Sequence, residues 1–191
     1  MQKSKLGFIV IMVFIFLNTD FCYAKTPYIT NNIVKWGYSA PKKARVIDTI
    51  IIHSSYDALG SNPYSVAGVV KEYKMYGVSP HYLISRKGNI YRLVKDKYIA
   101  FQAGRGKYPG TDKVINMNNS SIGIELIHLK TENPNEVQYD SLVNLINYLK
   151  SKYKIKYILG HSQTSITGKT DPWNFDWDKL DLLLNNFRHE N

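Results

Sequence analysis

Two histidines and one aspartate follow apolar runs of the chain, where a strand would give way to a loop. His53 ends the run Val46–His53, His161 comes just after Tyr157–Leu159, and Asp171 lies ten residues beyond His161. Sites on sheet scaffolds form at such strand ends. Two neutral imidazoles and one carboxylate could bind zinc and leave a fourth position for water, which is the catalytic arrangement. The alternative stays open here, because a single histidine is more often a core or surface residue, and ligands so far apart form no compact motif.

One carboxylate, Glu125, interrupts an apolar segment. In a strand over Ser121–Leu129, the alternation of side chains places Gly123 and Glu125 on one face and the large apolar residues on the other. Burial of a carboxylate is costly unless the group is paired or functional. Beside zinc, Glu125 could orient a water molecule and accept its proton. The alternative is a buried salt bridge.

Lys169 lies two residues before Asp171, so an extended loop would point both side chains the same way. A cation next to a metal would stabilise the oxyanion that develops when water attacks an amide carbon. The alternative is a lysine on a solvated loop, since charged residues are mostly exposed.

The other histidines are His81, His128 and His189. His81 and His128 fall within predicted strands. His128 lies off the face that carries Glu125, so we interpret it as structural, and His189 belongs to the C-terminal tail.

Strand patterns and helix patterns alternate along the chain without a linker or a repeat. Predicted strands cover Val46–His53, His81–Arg86, Asn89–Val94, Tyr98–Ala103, Ser121–Leu129 and Tyr157–Leu159, and predicted helices cover 63–76, 134–153 and 176–187. Residues 104–119, rich in glycine, are predicted to be loop. This order predicts one α/β domain with a mixed central β-sheet flanked by helices.

The start of the second helix has a specific signature. Asn133 can cap it, Pro134 suits the first helical position, and Glu136 stands where a capping-box acid reaches back. We therefore predict that this helix begins at Pro134.

The first 24 residues have the features of a secretory signal peptide. Lys3 and Lys5 precede an apolar run, Leu6–Leu17, that is short for a bilayer span, and Cys22-Tyr23-Ala24 has small residues at the two positions that a signal peptidase recognises. An uncleaved membrane anchor is the alternative. We predict a signal peptide over 1–24, an N-terminal arm over 25–45 and a catalytic domain over 46–191, and thus export to the periplasm or the medium. No membrane span is expected in the mature chain.

Cleavage after Ala24 would also remove Cys22, the single cysteine of the chain. The mature protein would then have neither a disulfide nor a thiolate nucleophile, which excludes cysteine-peptidase mechanisms.

The formal net charge is +10, and the mature chain would carry +9 of it. Such a charge attracts polyanions, although it can also serve only solubility, since the lysines are scattered along the sequence. No clustered basic helix or aromatic stacking motif indicates nucleic-acid binding.

Seven segments in order resemble the type 2 N-acetylmuramoyl-L-alanine amidases, and together they run from about Val46 to Trp177. They are Ile51–Ser55, Val78–Ile84, Gly88–Arg92, Ala100–Gly104, Asn119–Leu126, Gly160–Ser162 and Lys169–Pro172. The resemblance implies the fold of the peptidoglycan amidases and peptidoglycan recognition proteins. It also implies zinc on His53, His161 and Asp171, with Glu125 as acid/base and Lys169 as stabiliser of the transition state.

Asp171 and Glu125 are similar to the bacterial branch of this family, whereas the phage-like branch typically has cysteine as the third ligand. The chain departs from the family pattern at three positions. Gln102 stands where the family often has histidine, Trp173 where it has glycine, and Gln163 where an acid is common. These departures concern substrate contacts and leave every proposed ligand in place.

The resemblance implies a zinc-dependent amidase that hydrolyses the amide between N-acetylmuramic acid and L-alanine of peptidoglycan or muropeptides. We expect a monomer whose loop 104–119, with Tyr108, Asn116 and Asn118, lines the substrate groove. Two alternatives stay open: a peptidoglycan-binding module without catalysis, and a zinc peptidase that cuts within the stem peptide.

Overall fold

A six-stranded mixed sheet forms the centre of the computed structural model, which describes residues 26–189, without the side chains of the last two. The predicted signal peptide, residues 1–24, lies outside the described residues. The sheet consists of β1 (Ile29–Asn31), β3 (Thr49–Ser55), β4 (Tyr82–Ile84), β5 (Ile90–Arg92), β9 (Ser121–Ile127) and β10 (Tyr157–Gly160). Its strand order is β1-β5-β4-β9-β3-β10. Two short antiparallel pairs are β2 (Tyr38–Ser39) with β6 (Ile99–Ala100) and β7 (Arg105–Gly106) with β8 (Ile115–Asn116).

Helices cover both faces of the sheet. They are α1 (Val66–Tyr76), α2 (Glu136–Lys152), α3 (His161–Thr164) and α4 (Trp177–His189). The face that carries Ile50, Ile52 and Ile124 packs against α2 and α4. On the other face, Leu83 and Ile127 pack against Val69 and Tyr73 of α1. The predicted α/β domain with a mixed sheet between helices is confirmed.

The two central strands, β3 and β9, are parallel and almost wholly buried. Their register places His53 opposite Glu125, so the two side chains stand next to each other on one face. β10 is parallel to β3 with Gly160 opposite Ile52, so His161 follows at the same edge. Because parallel strands end at one edge of a sheet, three separate chain segments bring polar side chains to one place.

Helix α1 lies within the predicted range 63–76 and ends at its last residue, Tyr76. The Ser65 hydroxyl accepts the Gly68 N–H at 3.0 Å, which caps the first turn. Gly77 ends the helix with a φ of 66°, a left-handed conformation that glycine adopts without steric cost. β4 and β5 lie within the predicted strands His81–Arg86 and Asn89–Val94, and they pair antiparallel.

Two predictions on local structure are wrong. Helix α2 begins at Glu136, after Asn135 rather than Asn133. Asn135 Oδ1 accepts the Gln138 N–H, and Gln138 Oε1 accepts the Asn135 N–H, so this pair forms the capping box in place of Glu136. The segment 104–119 is not only loop: it contains β7, β8 and a 3₁₀ turn at Met117–Asn119.

The segment before Val46 lies on the domain and extends its sheets. β1 pairs in parallel with β5 at the edge of the central sheet, and β2 pairs with β6. Among the helices between residues 26 and 189, none has both the length and the apolar composition needed to cross a bilayer.

Candidate active site

Three side chains that can bind a metal ion converge where β3 and β10 end. Asp171 Oδ2 lies 3.0 Å from His53 Nδ1 and 3.2 Å from His161 Nδ1. All three residues are buried, and their ligand atoms lie within 4.8 Å of one another. Two donors bound to a tetrahedral zinc ion at its usual bond lengths are roughly 3.3 Å apart, so the observed spacing suits such an ion.

The hydrogen-bond partners of the two Nε2 atoms determine which nitrogen of each imidazole carries the proton. His53 Nε2 contacts the amide oxygen of Gln102, and His161 Nε2 lies 3.3 Å from the carbonyl oxygen of Ala103. Both partners accept hydrogen bonds, so each Nε2 carries the proton of a neutral imidazole. Each Nδ1 then presents a lone pair to Asp171.

This arrangement fits a metal ion. Two imidazole nitrogens and a carboxylate oxygen face one another at distances that suit a shared cation. Burial raises the pKa of the Asp171 carboxyl, but its contacts with His161 and His53 outweigh burial and hold that pKa well below its usual value. Burial lowers the pKa of His53, which favours the neutral imidazole that binds metals.

Glu125 lies beside this cluster, on the strand next to His53. Burial and the nearby Asp171 raise the pKa of Glu125 to about 8, while Ser55, Tyr73 and Lys169 act in the opposite direction. Its Oε2 is buried and has no hydrogen-bond partner within the described residues. The residue as a whole is partly exposed and lines the cleft, so its carboxylate can contact a water molecule or a substrate there.

The cluster opens into a cleft of about 500 Å³. Glu125 and Lys169 line it together with the two histidines and Asp171, and Tyr76, Phe101 and Trp173 also form its walls. Acid, cation and candidate metal ligands therefore share one cavity that also offers aromatic surface.

Residues 104–119 do not line this cleft, which corrects the predicted groove. Tyr108 bonds the Thr49 hydroxyl at 2.9 Å, at the opposite end of β3. The Asn118 side chain is buried and accepts the backbone N–H groups of Gln102, Ala103 and Gly104. Tyr108 and Asn118 therefore bond to the domain itself rather than face the cleft.

The two other described histidine side chains lie away from the cluster. His128 Nε2 bonds Ser54 at 2.6 Å, in agreement with its predicted structural role. His81 is fully buried, and its Nδ1 accepts the Gly123 N–H at 3.1 Å.

Sequence reasoning missed the neighbours of the cluster. Ser55 and Tyr73, joined by a 2.7 Å hydrogen bond, act on Glu125. Ser55 follows His53 by two positions in a strand, so the alternation would have placed it on the site's face. The sequence marks Gln102 only as a departure from the family pattern, and no local pattern indicates its contact with His53.

A family model described as N-acetylmuramoyl-L-alanine amidase matches residues 43–174. The chain belongs to this family. The match covers every proposed ligand together with Glu125 and Lys169, and it confirms the resemblance that the seven segments indicated.

Two curated members of the amidase family are similar in sequence. The 1,6-anhydro-N-acetylmuramyl-L-alanine amidase AmpD of Citrobacter freundii is 34% identical over 116 residues, which cover 59% of this chain and 60% of that protein. The AmpD of Haemophilus influenzae is 37% identical over 106 residues, covering 53% and 56%. The chain thus matches less than two thirds of the length of these relatives.

Among solved structures, a selenomethionine derivative of AmpD has the same architecture. The TM-score is 0.67 at 25% sequence identity, and the superposition covers 82% of this chain and 94% of that one. The amidase fold therefore extends over most of the described residues.

Proposed function

We propose that this protein is a zinc-dependent amidase that hydrolyses the bond between the lactyl group of N-acetylmuramic acid and L-alanine. The observation that carries the proposal is the convergence of three candidate metal ligands, His53, His161 and Asp171, with Glu125 directly beside them. Family membership and the similarity to curated 1,6-anhydro-N-acetylmuramyl-L-alanine amidases support the substrate class.

The proposed mechanism assigns one task to each polar side chain of the cleft. His53, His161 and Asp171 would hold zinc, which supplies Lewis acidity and makes water a stronger acid. Glu125 accepts the proton of the attacking water as its oxygen bonds to the carbonyl carbon. Glu125 then gives this proton to the alanine nitrogen as the carbon–nitrogen bond breaks. The products are the lactyl carboxylate and a peptide with a free amino terminus.

Lys169 is proposed to stabilise the negative charge that develops on the carbonyl oxygen. It lines the cleft near enough to Glu125 to lower the pKa of that carboxyl. A fixed cation beside a developing oxyanion favours the transition state over the neutral ground state.

Product analysis tests this proposal. Zinc-loaded protein is incubated with purified sacculi, with soluble muropeptides and with 1,6-anhydro muropeptides, and the products are identified by mass spectrometry. We expect stem peptides with a new L-alanine amino terminus. Binding without release would identify a peptidoglycan-binding module, and cleavage between stem residues would identify a peptidase. Either result would overturn the proposal.

We also propose that the protein is exported and that its mature form begins at Lys25. Support comes from the basic start, the apolar run and the small residues before Lys25. Intact mass measurement of the protein recovered outside the cytoplasm should show the loss of 24 residues, and Ala24→Arg should block this processing. A full-length protein in the membrane fraction would contradict export. Gel filtration with light scattering should give a monomer.

A further inference from the structure

We propose that Gln102 is a positioning residue that fixes the tautomer and the direction of His53, so that Nδ1 of His53 is presented to the metal. The inference rests on the metal site of the proposed function. It concerns a side chain that departs from the family pattern and that no ligand assignment includes.

The orientation of the Gln102 amide follows from a chain of hydrogen bonds. The Ser121 hydroxyl donates its one proton to the Met117 carbonyl oxygen at 2.7 Å. Ser121 Oγ must therefore accept in its 2.8 Å contact with Gln102, so the amide nitrogen of Gln102 faces Ser121. The amide oxygen is then directed at His53.

This orientation of the Gln102 amide permits only one tautomer of His53. The Gln102 oxygen contacts Nε2 of His53, and an amide oxygen only accepts hydrogen bonds. His53 must donate from Nε2, which leaves the lone pair on Nδ1 facing Asp171. A histidine at position 102 could offer either a donor or an acceptor, whereas the glutamine oxygen permits a single tautomer.

Packing holds Gln102 in this place. A Cβ atom at Gly123 would lie 2.7 Å from Cγ and Cδ of Gln102, closer than carbon atoms approach, so the glycine provides the space for the amide. The side-chain oxygen of Asn118 accepts a hydrogen bond from the Gln102 backbone N–H at 3.3 Å. Gln102 thus lies between β9 and His53 with its backbone and its side chain both bonded.

Groups that orient a metal-binding histidine contribute to metal affinity, because the imidazole otherwise has to be reoriented when the ion binds. Loss of the Gln102 oxygen should therefore weaken zinc binding without removing any ligand. The same loss should follow from Gly123→Ala, which leaves the amide in the chain but displaces it.

The test compares four proteins: the unaltered chain, Gln102→Leu, Gln102→His and Gly123→Ala. Zinc affinity is measured by competition with a chelator, and ¹⁵N NMR reports the protonation of the imidazole nitrogens with and without zinc. We expect Gln102→Leu and Gly123→Ala to bind zinc about 10- to 100-fold more weakly. In both, the Nε2 proton of His53 should exchange rapidly with solvent. Gln102→His, which restores an acceptor, should stay within a few-fold of the unaltered chain.

A double variant separates positioning from misfolding. Combining Gln102→Leu with Gly123→Ala should weaken zinc binding little more than Gln102→Leu alone, because both substitutions act through one contact. A zinc affinity of Gln102→Leu within twofold of the unaltered protein, with a protected Nε2 proton, would overturn the inference and leave the proposed function intact. If the unaltered chain binds zinc no better than Asp171→Asn, the proposed function fails, and the inference fails with it.

Discussion

At the scale of single residues, Glu125 and its neighbours show how opposing effects act on one carboxylate. Burial and Asp171 favour the neutral acid, whereas Ser55, Tyr73 and Lys169 favour the charged form, and the resulting pKa is about 8. A bound cation would add to the second group and move the pKa downwards. A pKa near neutrality suits a group that must both accept and return a proton.

Replacement of this carboxylate by an amide should abolish proton transfer and leave the metal ligands in place. We expect Glu125→Gln to lower kcat by about 100- to 10,000-fold, with unchanged zinc content. Release of stem peptides measures the first quantity, and atomic absorption measures the second. Glu136→Gln is the matched control, because Glu136 is an exposed carboxylate whose ion pair with Lys179 lies on the surface. Equal loss of activity in both variants would contradict the role of Glu125.

How much of the site the sequence predicts depends on the residue. The candidate ligands and Glu125 could be proposed because strand ends and alternation are local patterns, and the fold does bring them together. Gln102 could not, because its role depends on the space over Gly123 and on the Ser121 hydroxyl. Contacts between segments that are distant in sequence leave no periodic trace.

At the scale of elements, His81 links β4 to β9. Its backbone N–H donates to the Gly123 carbonyl at 3.0 Å, and its Nδ1 accepts the Gly123 N–H. Its Nε2 and the Arg45 guanidinium both contact the Tyr98 carbonyl. The imidazole thus continues the pairing of the two strands beyond the start of β4.

This link should make the fold sensitive to acid. Burial and the nearby Arg45 lower the pKa of His81 to about 3, although the Tyr98 carbonyl and Asp96 act against them. Between pH 6.5 and 3 the unfolded chain binds this proton and the folded chain does not. The contribution of His81 to the free energy of unfolding is therefore fully present above pH 6.5 and decreases as the pH falls. Each pKa unit of this difference corresponds to about 1.4 kcal/mol.

Urea unfolding of the metal-free protein between pH 3 and 7 checks the expectation. His81→Gln should unfold more easily at pH 7 but lose less of its remaining stability as the pH falls. His128→Gln is the comparison, since His128 is also bonded and its pKa is also lowered by burial. An unchanged pH dependence in His81→Gln would show that other groups account for the acid sensitivity.

The helices and strands could be predicted from the sequence better than the order and register in which the strands pair. Helix α1 has a local cap at each end, Ser65 and Gly77, and residues of these types favour helix ends. Asn133 is the predicted cap of helix α2, but the cap is Asn135, whose side chain also donates to the Arg86 carbonyl. The order of the strands and the register of His53 against Glu125 depend on packing, which no local signal contains.

At the scale of the whole molecule, the candidate metal site joins segments that are far apart in the chain. His53 belongs to β3, His161 begins α3, and Asp171 lies in the loop before α4. A ligand that binds only the folded chain stabilises it by mass action. Metal binding should therefore stabilise the entire domain and not only the cleft.

We expect zinc to raise the free energy of unfolding by about 2.7 kcal/mol when its free concentration is a hundred times its Kd. Thermal unfolding with zinc and with a chelator measures the difference. Asp171→Asn should melt at the same temperature under both conditions, because one of its three ligands is lost. If the melting temperature of the unaltered chain is the same with zinc and with a chelator, the folded protein has no metal site of this kind.

The joining of β3, β10 and the loop before α4 at one point also bears on how long the folded protein resists proteolysis. Molecules that have not acquired an ion would open more often at this edge of the sheet, and proteases cut chains in their open state. Empty molecules should then be removed first, so the surviving population is enriched in copies ready to act. Scarcity of the ion would lower the amount of this protein as well as its turnover rate.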